Sequence, residues 1–229
     1  MNNLIGLSGK KGSGKDLVTR IIQIIDYNPE LNTREILKYI DDTDYDYIDG
    51  TYKNKKFAYK LKKITCDLTG ITMEQLENSK YKGMTVSEFT GMDWSWEKDG
   101  EIVDYTFRQW LQLIGTDCMR NIIHPDIWVK SLFADYKYEE KPTGITFNDD
   151  EHKVKVYPKW VISDVRFPNE ADAIKDRDGI VIRINRPQKG KNVDEHFSET
   201  ALDDYDNFDY IIKNDGTIED LIEKIREIL

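Results

Sequence analysis

The stretch Gly9-Lys10-Lys11-Gly12-Ser13-Gly14-Lys15-Asp16 carries glycines and a lysine at GxxxxGK spacing. The chemistry suited to it is phosphate binding. Gly9, Gly12 and Gly14 let the backbone curl until successive N–H groups converge on an anion. A helix opening at the end of such a loop turns its positive N-terminus toward the same anion. Ser13 lies inside the loop, Lys11 adds a cation, and Lys15 reaches the β- and γ-phosphates of a nucleotide. The position after the lysine, commonly Ser or Thr, is Asp16. A carboxylate there can hold Mg²⁺, directly or through water, yet it also stands close to phosphates that repel it, so Asp16 needs the metal. The competing reading is a glycine-rich hairpin turn. An apolar strand before the loop and a helical pattern after it speak against that turn.

A second group lies at Val161-Ile162-Ser163-Asp164. Apolar residues ending in a carboxylate have the form of a strand that delivers an aspartate to Mg²⁺ or its waters. Asp164 can instead cap a helix, since Pro168 and Asn169 open one just beyond. Arg166 follows two residues later, and a guanidinium pairs bidentately with phosphate. Arg108, Arg120, Arg183, Arg186, Lys189 and Lys191 are further cations that such a site can draw on.

The elements that must position these groups alternate along the chain. Leu4, Ile5 and Leu7 predict a buried strand, and Leu17, Val18, Ile21, Ile22 and Ile25 recur at helical spacing. Asn28-Pro29 ends that helix. A short helix is predicted over 33–40 with Thr33 as its N-cap, and the acidic run Asp41–Asp46 reads as a solvated loop. A short strand from Phe57 leads into a helix that Gly70 ends. Residues 80–104 read as an irregular or hairpin insertion with a turn at Asp99-Gly100. Helices follow at Phe107–Ile114, with Gly115 inside, and from Asp126, then a hairpin over 143–158. The strand at 160–164, a helix at 168–177, strands at 180–184 and 210–212 and a helix at 217–229 complete the pattern. Such alternation predicts an α/β fold: a mostly parallel central sheet with helices on both faces and its ligand at the carboxyl ends of the strands.

With 229 residues and a net charge of −10, the chain suits one α/β domain with insertions. The acidity argues against a nucleic-acid polymer as partner, because binding one needs clustered Lys and Arg. Cys66 and Cys118 lie far apart without metal-ligand spacing and read as reduced core residues. The first strand opens at Leu4, leaving no room for a signal peptide, and no apolar run approaches membrane-spanning length. The expectation is a soluble cytoplasmic protein.

Taken in order, GKKGSGKD, Phe57-Ala58 with Leu61-Lys62, Arg108-Gln109-Trp110-Leu111-Gln112 leading to Gly115-Thr116-Asp117, Trp128 and Ser163-Asp164-Val165-Arg166 resemble the phage-type deoxynucleoside monophosphate kinases. Arg186-Pro187, His196 with Ser198-Glu199, and Asn214-Asp215-Gly216 extend the resemblance through the last third. That family's loop also carries Asp after Lys. The resemblance implies a single P-loop kinase domain over 1–229, with a substrate-binding insertion at about 28–158 and a lid at about 186–206. It implies transfer of the γ-phosphoryl of ATP, with Mg²⁺, to a deoxynucleoside monophosphate, in the host cytoplasm if phage-encoded.

On this reading Lys15, Asp16 and Arg166 are catalytic. Gly9, Lys11, Gly12, Ser13, Gly14, Lys15, Asp16, Arg186, Asn214 and Asp215 hold ATP, and Asp16 and Asp164 hold the metal. Lys11, Arg108, Gln112, Gly115, Thr116, Arg120, Trp128, Asp164, Arg166 and Glu170 meet the acceptor. Bland readings stand beside several of these: Trp128 as core, Arg108 and Arg120 as helix surface, and Asn214 to Gly216 as a helix cap. His196 is assigned no proton, because a phosphate acceptor is already an oxyanion. A homodimer stays open. The rival functions are another small-molecule kinase, acting on dephospho-coenzyme A or phosphomevalonate, and a P-loop ATPase or switch. A GTPase is disfavoured, because Asn54-Lys55 continues into Lys56-Phe57 without the Asp of a guanine-reading motif.

Overall fold

The computed structural model describes residues 2–41, 52–147, 150–187 and 200–229, with side chains outside 144–152. The acidic run from Asp42 to Asp46, the turn at Asn148-Asp149, and Lys189, Lys191 and His196 lie outside the described residues. The chain divides into two units, one of Met1–Lys56 with Leu132–Leu229 and one of Phe57–Ser131.

The first unit is built on a five-stranded parallel sheet of β1 (Leu4–Ser8), β2 (Lys53–Lys55), β7 (Trp160–Val165), β8 (Ile180–Asn185) and β9 (Tyr210–Lys213), in the order β2-β7-β1-β8-β9. β1 is therefore central. Ile5 pairs with Val161 on one side and with Ile180 on the other. The alternation of a strand sends Ile5 and Leu7 to one face, where they join Val161, Ile182, Ile184 and Ile212 under α1 (Lys15–Tyr27), α2 (Thr33–Asp41) and α10 (Ile218–Arg226). α1 buries Val18, Ile21, Ile22 and Ile25, the i, i+3, i+4, i+7 stripe read from sequence. The opposite face takes α9 (Pro168–Lys175), whose Ile174 Cδ1 would lie 2.6 Å from a Cβ at Gly6. Only glycine lets that helix lie so close to β1. A hairpin of β5 (Glu139–Phe147) and β6 (Asp150–Val156) precedes β7.

The second unit is helical. α3 (Tyr59–Thr69) ends at Gly70, whose backbone is left-handed at φ +74° and whose N–H returns to the Cys66 carbonyl. α4 (Met73–Glu77), α5 (Ser79–Lys82) and α6 (Val86–Thr90) are single turns, and β3 (Trp96–Lys98) pairs with β4 (Glu101–Val103) around Asp99-Gly100. α7 (Phe107–Gln112) runs on into a π-helical stretch over Leu113–Ile123, and α8 (Ile127–Phe133) follows. Phe107, Ile71, Leu76 and Val86 form this unit's core, with Trp94 and Trp110 packed against it and edge to face with each other.

Four expectations need correction. Phe57 is not in a strand; the strand is Lys53–Lys55, three polar residues held at the sheet edge by pairing with Trp160–Ile162. The cap of α2 is Asn32 rather than Thr33, since Asn32 Oδ1 accepts the Glu35 N–H while Glu35 Oε2 accepts the Asn32 N–H. Residues 80–104, read as an irregular or hairpin insertion, hold the end of α5 and the helix α6 before the hairpin of β3 and β4. Cys66 and Cys118 are free but only half-buried.

Candidate functional site

Parallel register brings the carboxyl ends of three strands together: Ser8 pairs with Val165 of β7 and with Arg183 of β8. The glycine-rich loop leaves β1 at that edge. Ser13 N–H donates to the Lys10 carbonyl at 3.1 Å, closing the loop, and α1 starts at Lys15. Gly14 adopts φ +102°, and no side chain caps the first turn of α1. A Cβ at Gly9 would lie 2.5 Å from both the Ile184 carbonyl oxygen and Ser13 Oγ. The loop thus follows the backbone of β8 closely and opens toward a helix N-terminus suited to an anion.

Lys15 is half-buried, and its ammonium donates to the carbonyls of Gly9 at 2.6 Å and Lys10 at 3.0 Å, across the mouth of the loop. Ser13 is 2% exposed, and its hydroxyl finds no partner among the described residues. A buried hydroxyl left so is costly, and a phosphate oxygen or ordered water would satisfy it. Lys11 and Asp16 are exposed, the latter in the first turn of α1. Asp164 is half-buried, one residue before the end of β7, and Ser163 beside it donates to Asn54 Oδ1 at 2.8 Å. Arg166 is exposed just beyond the strand.

Beyond β9, Asn214 Nδ2 donates to the Ser13 carbonyl at 2.8 Å, and its backbone N–H donates to the Asn185 carbonyl at 2.7 Å. Asn214 is thereby tied to the loop itself. Arg186 Nη1 reaches the Gly12 carbonyl at 3.5 Å. Next to it lies a cleft of about 380 Å³ lined by Lys10, Ile184, Arg186, Pro187, Lys213 and Asp215, within the size range of small-ligand sites. Lys213, Pro187 and Ile184 carry no chemical signal in the sequence; only strand order brings them here. Glu170 is 3% exposed, and its Oε2 accepts the N–H groups of Arg166 at 2.8 Å and Phe167 at 3.2 Å, capping α9.

The remaining candidates belong to the second unit. Thr106 caps α7 through a reciprocal bond with Gln109, which leaves Arg108 exposed and Gln112 half-buried. Gly115 is buried, and its carbonyl accepts the indole N–H of buried Trp128 at 2.8 Å. Arg120, also buried, donates from Nη1 to the Pro125 carbonyl at 3.0 Å. Those two bonds fasten the start of α8 to the π-helix. Thr116 is half-buried beside Gly115.

Metal chemistry is consistent with the donor set. No group of three His, Cys, Asp or Glu side chains stands together among the described residues. A cation that takes one or two carboxylates and fills its shell with phosphate and water, as Mg²⁺ does, suits Asp16 and Asp164.

An open helix N-terminus and a glycine-rich cradle on the central strand of a parallel sheet define a P-loop phosphotransferase fold. Comparison with known proteins agrees. The family model described as deoxynucleotide monophosphate kinase matches residues 100–225. A protein of Acanthamoeba polyphaga mimivirus, whose name provisionally assigns it that activity, is 31% identical over 97% of this chain and 93% of its own. The deoxynucleotide monophosphate kinase of Enterobacteria phage T4 is 28% identical over 99% and 98%. The deoxynucleoside-5'-monophosphate kinase of Escherichia phage T5 is 22% identical over 88% and 86%. The chain belongs to the deoxynucleotide monophosphate kinase family. No helix among the described residues is long and apolar enough to cross a membrane.

Proposed function

We propose that the chain transfers the γ-phosphoryl group of ATP to a deoxynucleoside 5'-monophosphate, giving ADP and the deoxynucleoside diphosphate. The observation that carries this reading is the cradle itself, Gly9 to Lys15, opening at the carboxyl end of β1 in a chain of this family. The loop amides and the N-terminus of α1 bind the ATP phosphates, and Lys15 exchanges its bonds to the Gly9 and Lys10 carbonyls for phosphate oxygens. Lys11, Gly12 and Ser13 complete the cradle. Arg186 and Asp215 line the adjoining cleft, which takes the nucleoside, while Asn214 holds the Ser13 carbonyl.

Asp16 and Asp164 would hold Mg²⁺, which when bound neutralises charge on the phosphate oxygens. The acceptor is already an anion, so its attack requires no general base, and catalysis reduces to alignment and charge stabilisation. Arg166 neutralises the transferring group. We assign acceptor recognition to Arg108, Gln112 and Thr116, with Gly115, Arg120 and Trp128 supporting the helix that carries them. Glu170 acts by fixing the backbone at Arg166. We place the reaction in the cytoplasm, where ATP and deoxynucleotides are at hand.

The test is an ADP-release assay with a panel of deoxynucleoside and ribonucleoside monophosphates. Dephospho-coenzyme A and phosphomevalonate serve as control acceptors. ADP should form only with a deoxynucleoside monophosphate, matched by its diphosphate. Release of ADP at the same rate without any acceptor would show an ATPase instead.

A further inference from the structure

Asp203 lies within the segment 186–206 that the resemblance reads as a lid, and its carboxylate joins two parts of the cradle. Oδ2 accepts from Lys10 Nζ at 2.8 Å and Oδ1 from Arg183 Nη2 at 2.9 Å. The Arg183 side chain is only 11% exposed, lies 5.7 Å from the Phe208 ring, and donates Nη1 to Ser8 Oγ at 3.0 Å and Nε to Asn185 Oδ1 at 3.3 Å. Ser8 is the last residue of β1. Lys10 is the second residue of the loop, and its carbonyl receives both Ser13 N–H and Lys15 Nζ. One carboxylate therefore links β8, the end of β1 and the first half of the loop.

Asp203 is itself held in place. Its N–H donates to the Thr200 carbonyl at 2.8 Å, and neighbouring Leu202 is buried. Tyr205 OH donates to Asp172 Oδ1 at 2.8 Å on α9 and packs edge to face on Phe208.

We propose that Asp203 is a positioning residue for ATP, holding Lys10 against Arg183 so that the loop and the cleft wall formed by Lys10 are ordered before the nucleotide arrives. The inference rests on the ATP-binding half of the proposed function and not on the identity of the acceptor. A lysine side chain has many rotamers to lose, and ordering it in advance removes that cost from binding. Partly exposed ion pairs add little to global stability, so the effect belongs to nucleotide affinity.

The experiment is calorimetric titration of the full chain with a non-hydrolysable ATP analogue, which needs neither acceptor nor turnover. Asp203→Asn should weaken binding about three- to tenfold, the range expected for one rotamer-rich side chain no longer held. Asp203→Glu, which keeps the charge, should restore most of the affinity. Lys10→Met should weaken binding as well, and the Lys10→Met/Asp203→Asn double variant should fall short of the product of the two single effects. In turnover, Asp203→Asn should raise the KM for ATP while leaving that for the acceptor within twofold. Binding by Asp203→Asn that matches or exceeds that of the unaltered protein would overturn the inference. So would fully multiplicative single effects, or an acceptor KM that rises as much as that for ATP. If binding follows the expected pattern but no monophosphate is phosphorylated, the acceptor assignment fails and Asp203 keeps its role.

Discussion

A methyl group added at Gly14 tests whether the conformation of the loop, rather than its charge, holds the nucleotide. Gly14→Ala meets two obstacles. The backbone there has φ +102°, and a side-chain-bearing residue forced into such a region costs about 1–3 kcal/mol. The new Cβ would also lie 2.6 Å from Asn214 Nδ2, closer than the two atoms can approach. Asn214 must then move and lose its bond to the Ser13 carbonyl, a further loss of about 0.5–1.5 kcal/mol. The loop escapes both costs by leaving its cradle form, and ATP must restore that form when it binds. A combined cost of about 2–4 kcal/mol weakens binding about 30- to 1,000-fold. Titration with a non-hydrolysable ATP analogue measures this, with thermal unfolding as the control for global damage. Asn214→Ala in the same chain removes the collision but also the bond to the Ser13 carbonyl, and leaves the backbone cost, so the double variant should bind no more tightly than Gly14→Ala. Binding by Gly14→Ala within threefold of the unaltered protein would refute the reasoning. Full recovery in the double variant would show that the backbone conformation at Gly14 carries no cost.

Three other outcomes are expected. Lys15→Ala should lower kcat/KM by about two to three orders of magnitude, the scale of one lost preorganised charge, with the circular dichroism spectrum unchanged. Near-normal turnover would remove the loop from the mechanism. Asp16→Asn and Asp164→Asn should each raise the Mg²⁺ concentration needed for half-maximal rate, and unchanged titrations in both would take these carboxylates out of the metal's shell. Arg108→Ala should raise the acceptor KM, lower kcat, or both, while the affinity for an ATP analogue stays the same; weaker ATP binding would place Arg108 elsewhere in the mechanism.

The sheet was readable because its inner strands are short apolar runs between helical patterns, as at Leu4–Ser8 and Trp160–Val165, where burial forces the composition. Lys53–Lys55 shows the limit. It is a strand only because Trp160–Ile162 offers it hydrogen bonds, and no local pattern of three polar residues reveals that. The single-turn helices of the second unit are too short to show a period. Their signals were the T-x-x-Q and T-x-x-E capping boxes at Thr72–Gln75 and Thr85–Glu88, which become conclusive only when an apolar stripe follows. At the candidate site, the positions of the loop and of Asp164 at the ends of their strands were legible because each is a local motif. The tasks of Asn214 and Asp203 were not. Asn214 meets Ser13, and Asp203 meets Lys10, across most of the length of the chain, through a strand order that no short window contains.

That strand order also governs how the protein is made. β1 leaves the ribosome first, but β7 and β8, its two neighbours, follow only about 150 residues later, a delay of about 10–30 s at ordinary rates of synthesis. Phe57–Ser131 is continuous in sequence and can form its local contacts during that wait. Leu4–Ser8 cannot. Both of its edges stay open, with apolar side chains exposed, and an unpaired strand is a template for wrong partners. A chain interrupted anywhere before Trp160 leaves the central strand of the nucleotide cradle without either neighbour. Aggregation during rapid overproduction should therefore begin at β1, and slower synthesis or a chaperone that shields the nascent β1 should raise the yield of folded protein.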